Sequence, residues 1–253
     1  MLFLNQSAFC LCFVLLKNRA AVTFGLESQN IVGYQDVPIA NQQFSLFAPT
    51  FKGVGGALDL QNVKVVNADG TPADYFAVVL QTMDENNAFD GETCATYTWD
   101  GTGWLDAEFS PIEAGNKLIK TGDAFLVGNN IGEGLSFQVS GEVDLVNKNL
   151  ISDAQFSLCG NSTPVSFDLT DVQIINKDGT PADYFAVVLQ TMDENNAFDG
   201  ETCATYTWDG TGWLNSEFAP IEKGAVNVQP GNAFLVGNNM GVELFFKVPS
   251  PIK

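Results

Sequence analysis

Two kinds of side-chain cluster in this sequence have the residue types for binding or chemistry. The first is the run Asp84-Glu85-Asn86-Asn87-Ala88-Phe89-Asp90-Gly91-Glu92, which recurs from Asp193 to Glu201. Carboxylate and amide oxygens of this kind suit calcium, which takes six to eight hard oxygen ligands. Asp84, Asp90, Glu92, Asp193, Asp199 and Glu201 are the candidate ligands. Their spacing follows no EF-hand loop, so a solvated acidic turn is the plainer reading.

The second cluster is aromatic. Tyr97-Thr98-Trp99-Asp100-Gly101-Thr102-Gly103-Trp104 reads as a hairpin turning on Asp-Gly. A loop from Asp100 to Gly103 pairs Trp99 with Trp104 and sets Tyr97 opposite Asp106, and the second version places Tyr206, Trp208, Trp213 and Asn215 in the same way. Flat aromatic rings beside a polar acceptor suit sugar rings, and two copies add avidity. Cross-strand aromatic pairs also simply hold sheets together, and this is the plainer use.

Catalysis has little to build on. The chain has no histidine, which removes imidazole bases, Ser-His-Asp and Cys-His hydrolases and most zinc sites. A glycosidase needs two carboxyl groups about 5 to 9 Å apart, and the acidic run with Glu108 and Glu113 is the sole source of such a pair. No phosphate loop or nucleophile elbow occurs, so the reading is a non-catalytic protein without a cofactor. With 11 basic against 30 acidic residues the net charge is −19, which disfavours nucleic acid and anionic membranes and keeps an exported protein soluble.

The elements that position these residues come in duplicate. The 37 residues from Asp69 to Leu105 recur unchanged as Asp178 to Leu214, and the correspondence continues at the same offset through Pro111-Ile112-Glu113 and Ala124 to Asn130. Upstream, Gln43 to Leu46 matches Gln155 to Leu158 at an offset of 112, so the second copy lacks three residues of the loop around Gly53 to Ala57. Identity this complete reports recent copying. β-Branched or aromatic runs at Val63 to Val66, Tyr75 to Gln81, Ala95 to Trp99 and Ala124 to Val127 read as strands, and no long helical period appears.

At the junction Leu135, Phe137, Val139, Gly141, Val143 and Leu145 alternate with mostly polar neighbours. A period of two across the boundary predicts one long strand or two collinear ones joining the copies. The fold expected is all-β: two tandem β-sandwich or partly open β-barrel domains, mainly antiparallel, over residues 26–140 and 141–253.

Residues 1–25 read as a leader. Leu2 to Leu16 is an apolar run of signal-peptide length, though Lys17 and Arg19 follow it instead of preceding it; cleavage falls near Gly25, with an uncleaved anchor or a different natural start as alternatives. Cys10 and Cys12 lie inside it, leaving Cys94, Cys159 and Cys203 as buried thiols by expectation. Cys159 stands where the first copy has Phe47, and Asn161-Ser162-Thr163 is a glycosylation sequon.

The order of Asn30-Ile31-Val32-Gly33-Tyr34, a Phe-Ser-Leu strand, the Tyr-x-Trp-Asp-Gly-x-Gly-Trp hairpin and a Gly-x-Ala-Phe-Leu-Val strand resembles uncharacterised exported bacterial proteins built of one or two such β modules. The resemblance implies an exported β-rich protein and supplies no catalytic residue. The expected role is structural or adhesive at the cell surface or outside the cell. Recognition of a polysaccharide by the aromatic hairpins is the alternative, other surface proteins are the other partner class, and a glycosidase is a distant third.

Overall fold

The computed structural model describes residues 32–39, 44–53, 56–84, 88–90, 94–120, 122–132, 134–143, 148–151, 156–161, 163–193, 197–198 and 203–248. The leader 1–25 with Cys10 and Cys12, residues Asn30 and Ile31, Leu145, and the calcium candidates Glu92, Asp199 and Glu201 lie outside them. Within the described residues the chain is all-β, with two single-turn 3-10 segments and no α-helix, and no sheet closes into a barrel. No described helix is long and apolar enough to cross a membrane.

Each copy is a sandwich of two main antiparallel sheets with a short two-stranded ladder beside them, Leu58–Asp59 with Leu118–Ile119 in the first and Phe167–Asp168 with Asn227–Val228 in the second. In the first, a five-stranded sheet runs Phe44–Phe47, Phe125–Asn129, Val78–Thr82, Thr96–Trp99, Trp104–Leu105. Facing it, Leu135–Val143 pairs with Val32–Ile39, Phe51–Lys52 and Lys64–Asn67. The second copy repeats the five-stranded sheet as Phe156–Gly160, Ala233–Asn238, Val187–Gln190, Thr205–Trp208, Trp213–Leu214. Its facing sheet has three strands, Lys148–Ile151, Leu244–Lys247 and Gln173–Asn176. Among the described residues Phe51–Lys52 has no strand counterpart there; the deletion falls beside it and the equivalent residues are Thr163-Pro164.

Strand periodicity explains the core. Val78, Leu80 and Thr82 point inward while Val79 and Gln81 are half-buried, and the same alternation runs along Phe125–Asn129. Burying one face of each sheet against the other removes these side chains from water at about 25 cal/mol per Å2, the main favourable contribution to folding. Phe47 stacks on Phe125 and Phe137 at the centre of the first core, and Phe234 meets Phe246 at a tilt in the second.

The junction strand forms as the alternation predicts, but all its pairings stay in the first copy. Gly141 faces Gly33, and Glu142 and Val143 face Lys52 and Phe51, so the strand runs three residues past position 140 as part of the first sandwich. The second copy opens on its own strand, Lys148–Ile151, which among the described residues pairs with Leu244–Lys247 alone. The strand is therefore not shared between the sheets, since the second copy has its own partner for that sheet edge.

The copies instead meet through reciprocal contacts about a pseudo-twofold axis. Phe89 N–H donates to Phe156 O at 2.8 Å, and its counterpart Phe198 N–H donates to Phe44 O at 2.7 Å. Leu158 N–H reaches the Met83 thioether at 3.1 Å, and Leu46 N–H reaches the Met192 thioether at 3.1 Å. Asp123 bridges to Cys159 as Asn232 bridges to Phe47. Leu46, Ala48, Met83, Ala124, Leu158 and Ala233 form a small apolar cluster between the copies. Phe44–Phe47 and Phe156–Gly160 are edge strands, so each copy covers a sheet edge of the other.

Candidate functional site

The hairpins fold in the expected register, with Trp99 paired to Trp104 and Trp208 to Trp213. Their side chains face the opposite way from a contact surface. Trp99, Trp104, Trp208 and Trp213 are each 1 or 2% exposed, packed edge to face at 5.5 Å. Each indole N–H is spent on a buried carbonyl: Trp99 on Ala73 O at 2.9 Å, Trp104 on Val63 O at 2.8 Å, Trp208 on Ala182 O at 3.0 Å, Trp213 on Val172 O at 3.1 Å. The four tryptophans are core, and a sugar has no access to them. An aromatic pair on a two-sheet sandwich must face either the other sheet or water, and the larger apolar area goes inward.

Tyr97 and Tyr206 sit half-buried at the margins of the cores, where burial raises both phenol pKa values. Asp106 and Asn215 have another task. Asp106 Oδ1 accepts the N–H groups of Glu108 and Ser110 at 3.0 and 2.9 Å, and Asn215 Oδ1 accepts those of Glu217 and Ala219, both at 3.0 Å. Only an acceptor oxygen is used, which is why Asp and Asn interchange here.

The turn they hold presents an aromatic surface that hairpin reasoning overlooked. Tyr75, Phe76 and Phe109 are 52, 37 and 55% exposed, and Tyr184 and Phe218 are 54 and 57% exposed. Tyr75 packs edge-on against Phe76 at 4.2 Å and Phe76 against Phe109 at 5.5 Å; the second copy repeats this with Tyr184, Phe185 and Phe218 at 4.1 and 5.6 Å. Phe76, Phe109, Phe185 and Phe218 have φ of 61, 59, 58 and 58°, and they are the only described non-glycine residues with positive φ. A bulky residue in the left-handed region costs about 1–2 kcal/mol.

Hydrogen bonds lock this conformation. Phe76 N–H donates to Trp99 O at 2.8 Å while Asn130 Nδ2 donates to Phe76 O at 2.9 Å, and Phe185 is held likewise by Trp208 and Asn239. The expected strand from Tyr75 to Gln81 accordingly starts only at Val78, with Tyr75 and Phe76 in a turn. The signal was the recurrence of Phe109 as Phe218 between positions that have diverged, Ala107 to Ser216 and Ser110 to Ala219.

The acidic run has a structural use. Asp84 Oδ1 accepts Ala88 N–H at 2.9 Å, and Asp193 Oδ1 accepts Ala197 N–H at 2.8 Å. Each bond pins the residue just before Phe89 or Phe198, whose N–H meets the edge strand of the other copy. No group of three or more potential metal ligands occurs among the described residues. Asp84→Asn, which keeps the acceptor, should leave the melting temperature within about 1 °C, whereas Asp84→Ala should cost about 1–2 kcal/mol. A calcium site would lose affinity in both variants; melts with and without chelator on each separate the two roles.

Three further expectations meet the structure here. Cys94 and Cys203 are half-buried and Cys159 is buried, none in a disulfide, and burial pushes the Cys159 thiol far above its usual range. The sequon does not expose its asparagine: Asn161 is 0% exposed, and its Nδ2 donates to Val165 O and Val228 O. A glycan on that nitrogen is incompatible with the fold. Glu108 and Glu113 are exposed and line neither of two surface clefts, one at Tyr206 and one at Pro230.

Fold and surface define a two-module antiparallel β protein with duplicated aromatic patches. Compared with protein-family models, curated proteins and solved structures, the chain matches none.

Proposed function

We propose that this chain is a non-catalytic, exported or cell-surface protein with an adhesive role, attaching through the patches Tyr75-Phe76-Phe109 and Tyr184-Phe185-Phe218. The observation that carries the reading is the four exposed or half-exposed phenylalanines held at positive φ. Strain of this kind persists only where surrounding structure enforces it, and it collects at sites of function. Glycine would relieve it, yet Phe109 and Phe218 remain phenylalanine among neighbours that have diverged. Exposed aromatic clusters mark interaction sites, and two on one chain supply avidity. The net charge of −19 directs the surface away from polyanions.

The test uses the full chain with Phe109→Gly and Phe218→Gly together. Relief of strain offsets lost packing, so the melting temperature should stay within about 3 °C of the parent. Attachment to polysaccharide-coated and protein-coated quartz-crystal sensors should fall at least tenfold. Equal attachment by variant and parent, or no attachment by the parent, would overturn the proposal.

A further inference from the structure

The two copies share part of the lining of one cleft and differ in the rest. In the second, a cleft of about 750 Å3 is lined by Thr191, Met192, Asp193, Ala204 and Tyr206 together with Ala225, Val226, Asn227, Val228, Asn232, Ala233 and Phe234. The first set repeats Thr82, Met83, Asp84, Ala95 and Tyr97 without change. In the rest of the lining Asn116 of the first copy becomes Ala225, Lys117 becomes Val226, Leu118 becomes Asn227 and Asp123 becomes Asn232.

Lys117 is not idle in the first copy. Its Nζ donates to Thr82 Oγ1 at 3.1 Å and stands 5.6 Å from the centre of the Tyr97 ring. Burial lowers the Lys117 pKa and raises that of Asp123. The first copy thus lays its own cation over the tyrosine and places a carboxylate nearby. In the second copy both charges are gone, and Val226 has no ammonium to put over Tyr206 or Thr191.

We infer that the cleft at Tyr206 is a binding site for a neutral oligosaccharide of about two sugar units, and that Lys117 closes the equivalent place in the first copy. The volume falls in the range of small-ligand sites. Thr191, Tyr206, Asn227 and Asn232 offer donors and acceptors together, which sugar hydroxyls require, while Val226, Val228 and Phe234 offer apolar surface for C–H faces. Asp193 is the single charged lining residue, and its sign with the net charge of −19 disfavours acidic sugars. This site shares no residue with the aromatic patches and does not depend on their role.

Isothermal titration of the full chain with cellobiose, maltose and N,N′-diacetylchitobiose tests it, with a glucuronate disaccharide as the acidic comparison. One site per chain is expected for at least one neutral sugar. Val226→Lys with Asn232→Asp should weaken binding at least tenfold, and Lys117→Val with Leu118→Asn and Asp123→Asn should raise the stoichiometry to two. Thermal melts establish that both variants fold. Phe109→Gly with Phe218→Gly should bind as the parent does; loss of sugar binding there assigns it to the aromatic patches and overturns the cleft. Absence of binding by every neutral sugar, equal binding of the acidic one, or stoichiometry unmoved in both charge-swap variants also overturns it.

Discussion

Trp104→Ala should lower stability by about 3–5 kcal/mol, the cost of emptying a large aromatic side chain from a packed core. Trp104 is 1% exposed, meets Trp99 at 5.5 Å and Phe137 at 6.4 Å, and donates to Val63 O at 2.8 Å. Truncation opens a cavity at the contact of the two sheets and leaves a buried carbonyl without its donor, so transfer, cavity and desolvation costs add. For a chain of this size the loss corresponds to roughly 10 °C or more in melting temperature. Trp213→Ala should behave alike, because its N–H donates to Val172 O at 3.1 Å in the same setting. A shift below about 3 °C in a thermal melt would mean that the indole lies at the surface, and the hairpin would regain its standing as a sugar platform.

The second large effect is expected at the pseudo-twofold axis. Ala48 and Gly160 are equivalent positions that face each other, and a Cβ on Gly160 would lie 2.2 Å from Ala48 Cβ and 2.9 Å from Asn232 O. Neither obstacle is a flexible chain end. Gly160→Ala should therefore force the copies apart or strain the edge strands, at about 2–3 kcal/mol. Adding Ala48→Gly should recover most of the loss, since alanine at 48 already coexists with the equivalent surroundings of the first copy. Melts of the two single variants and the double variant form a thermodynamic cycle. Independent effects in that cycle would refute the facing arrangement. The asymmetry of Ala against Gly is also what permits the close approach, because alanine on both sides does not fit.

These results bear on what could be read in advance. The hairpin register was legible because Asp-Gly fixes a short loop and pairing follows locally, and the alternation from Leu135 to Val143 announced its strand for the same reason. Which face of the hairpin is buried was not legible, since both faces carry large side chains and only the opposing sheet decides. Tyr75 and Phe76 read as strand because aromatic residues favour strands. Their turn exists because Trp99 O and Asn130, distant in sequence, hold Phe76 at positive φ.

The sequence by itself determined the duplication, the all-β class, the tight turns, the three-residue deletion and the poverty of imidazole chemistry. All of these are local or compositional, and turn geometry and strand period act over a few residues. Tertiary structure decided that the tryptophans are core, that Phe89 and Phe198 bond to the other copy, that Asn161 is buried, and that the copies meet around Ala48 and Gly160. Each depends on which surfaces meet after folding, and such encounters join residues far apart in sequence, 26 and 41 positions for the indole bonds and more for the contacts between the copies, beyond the reach of any local pattern.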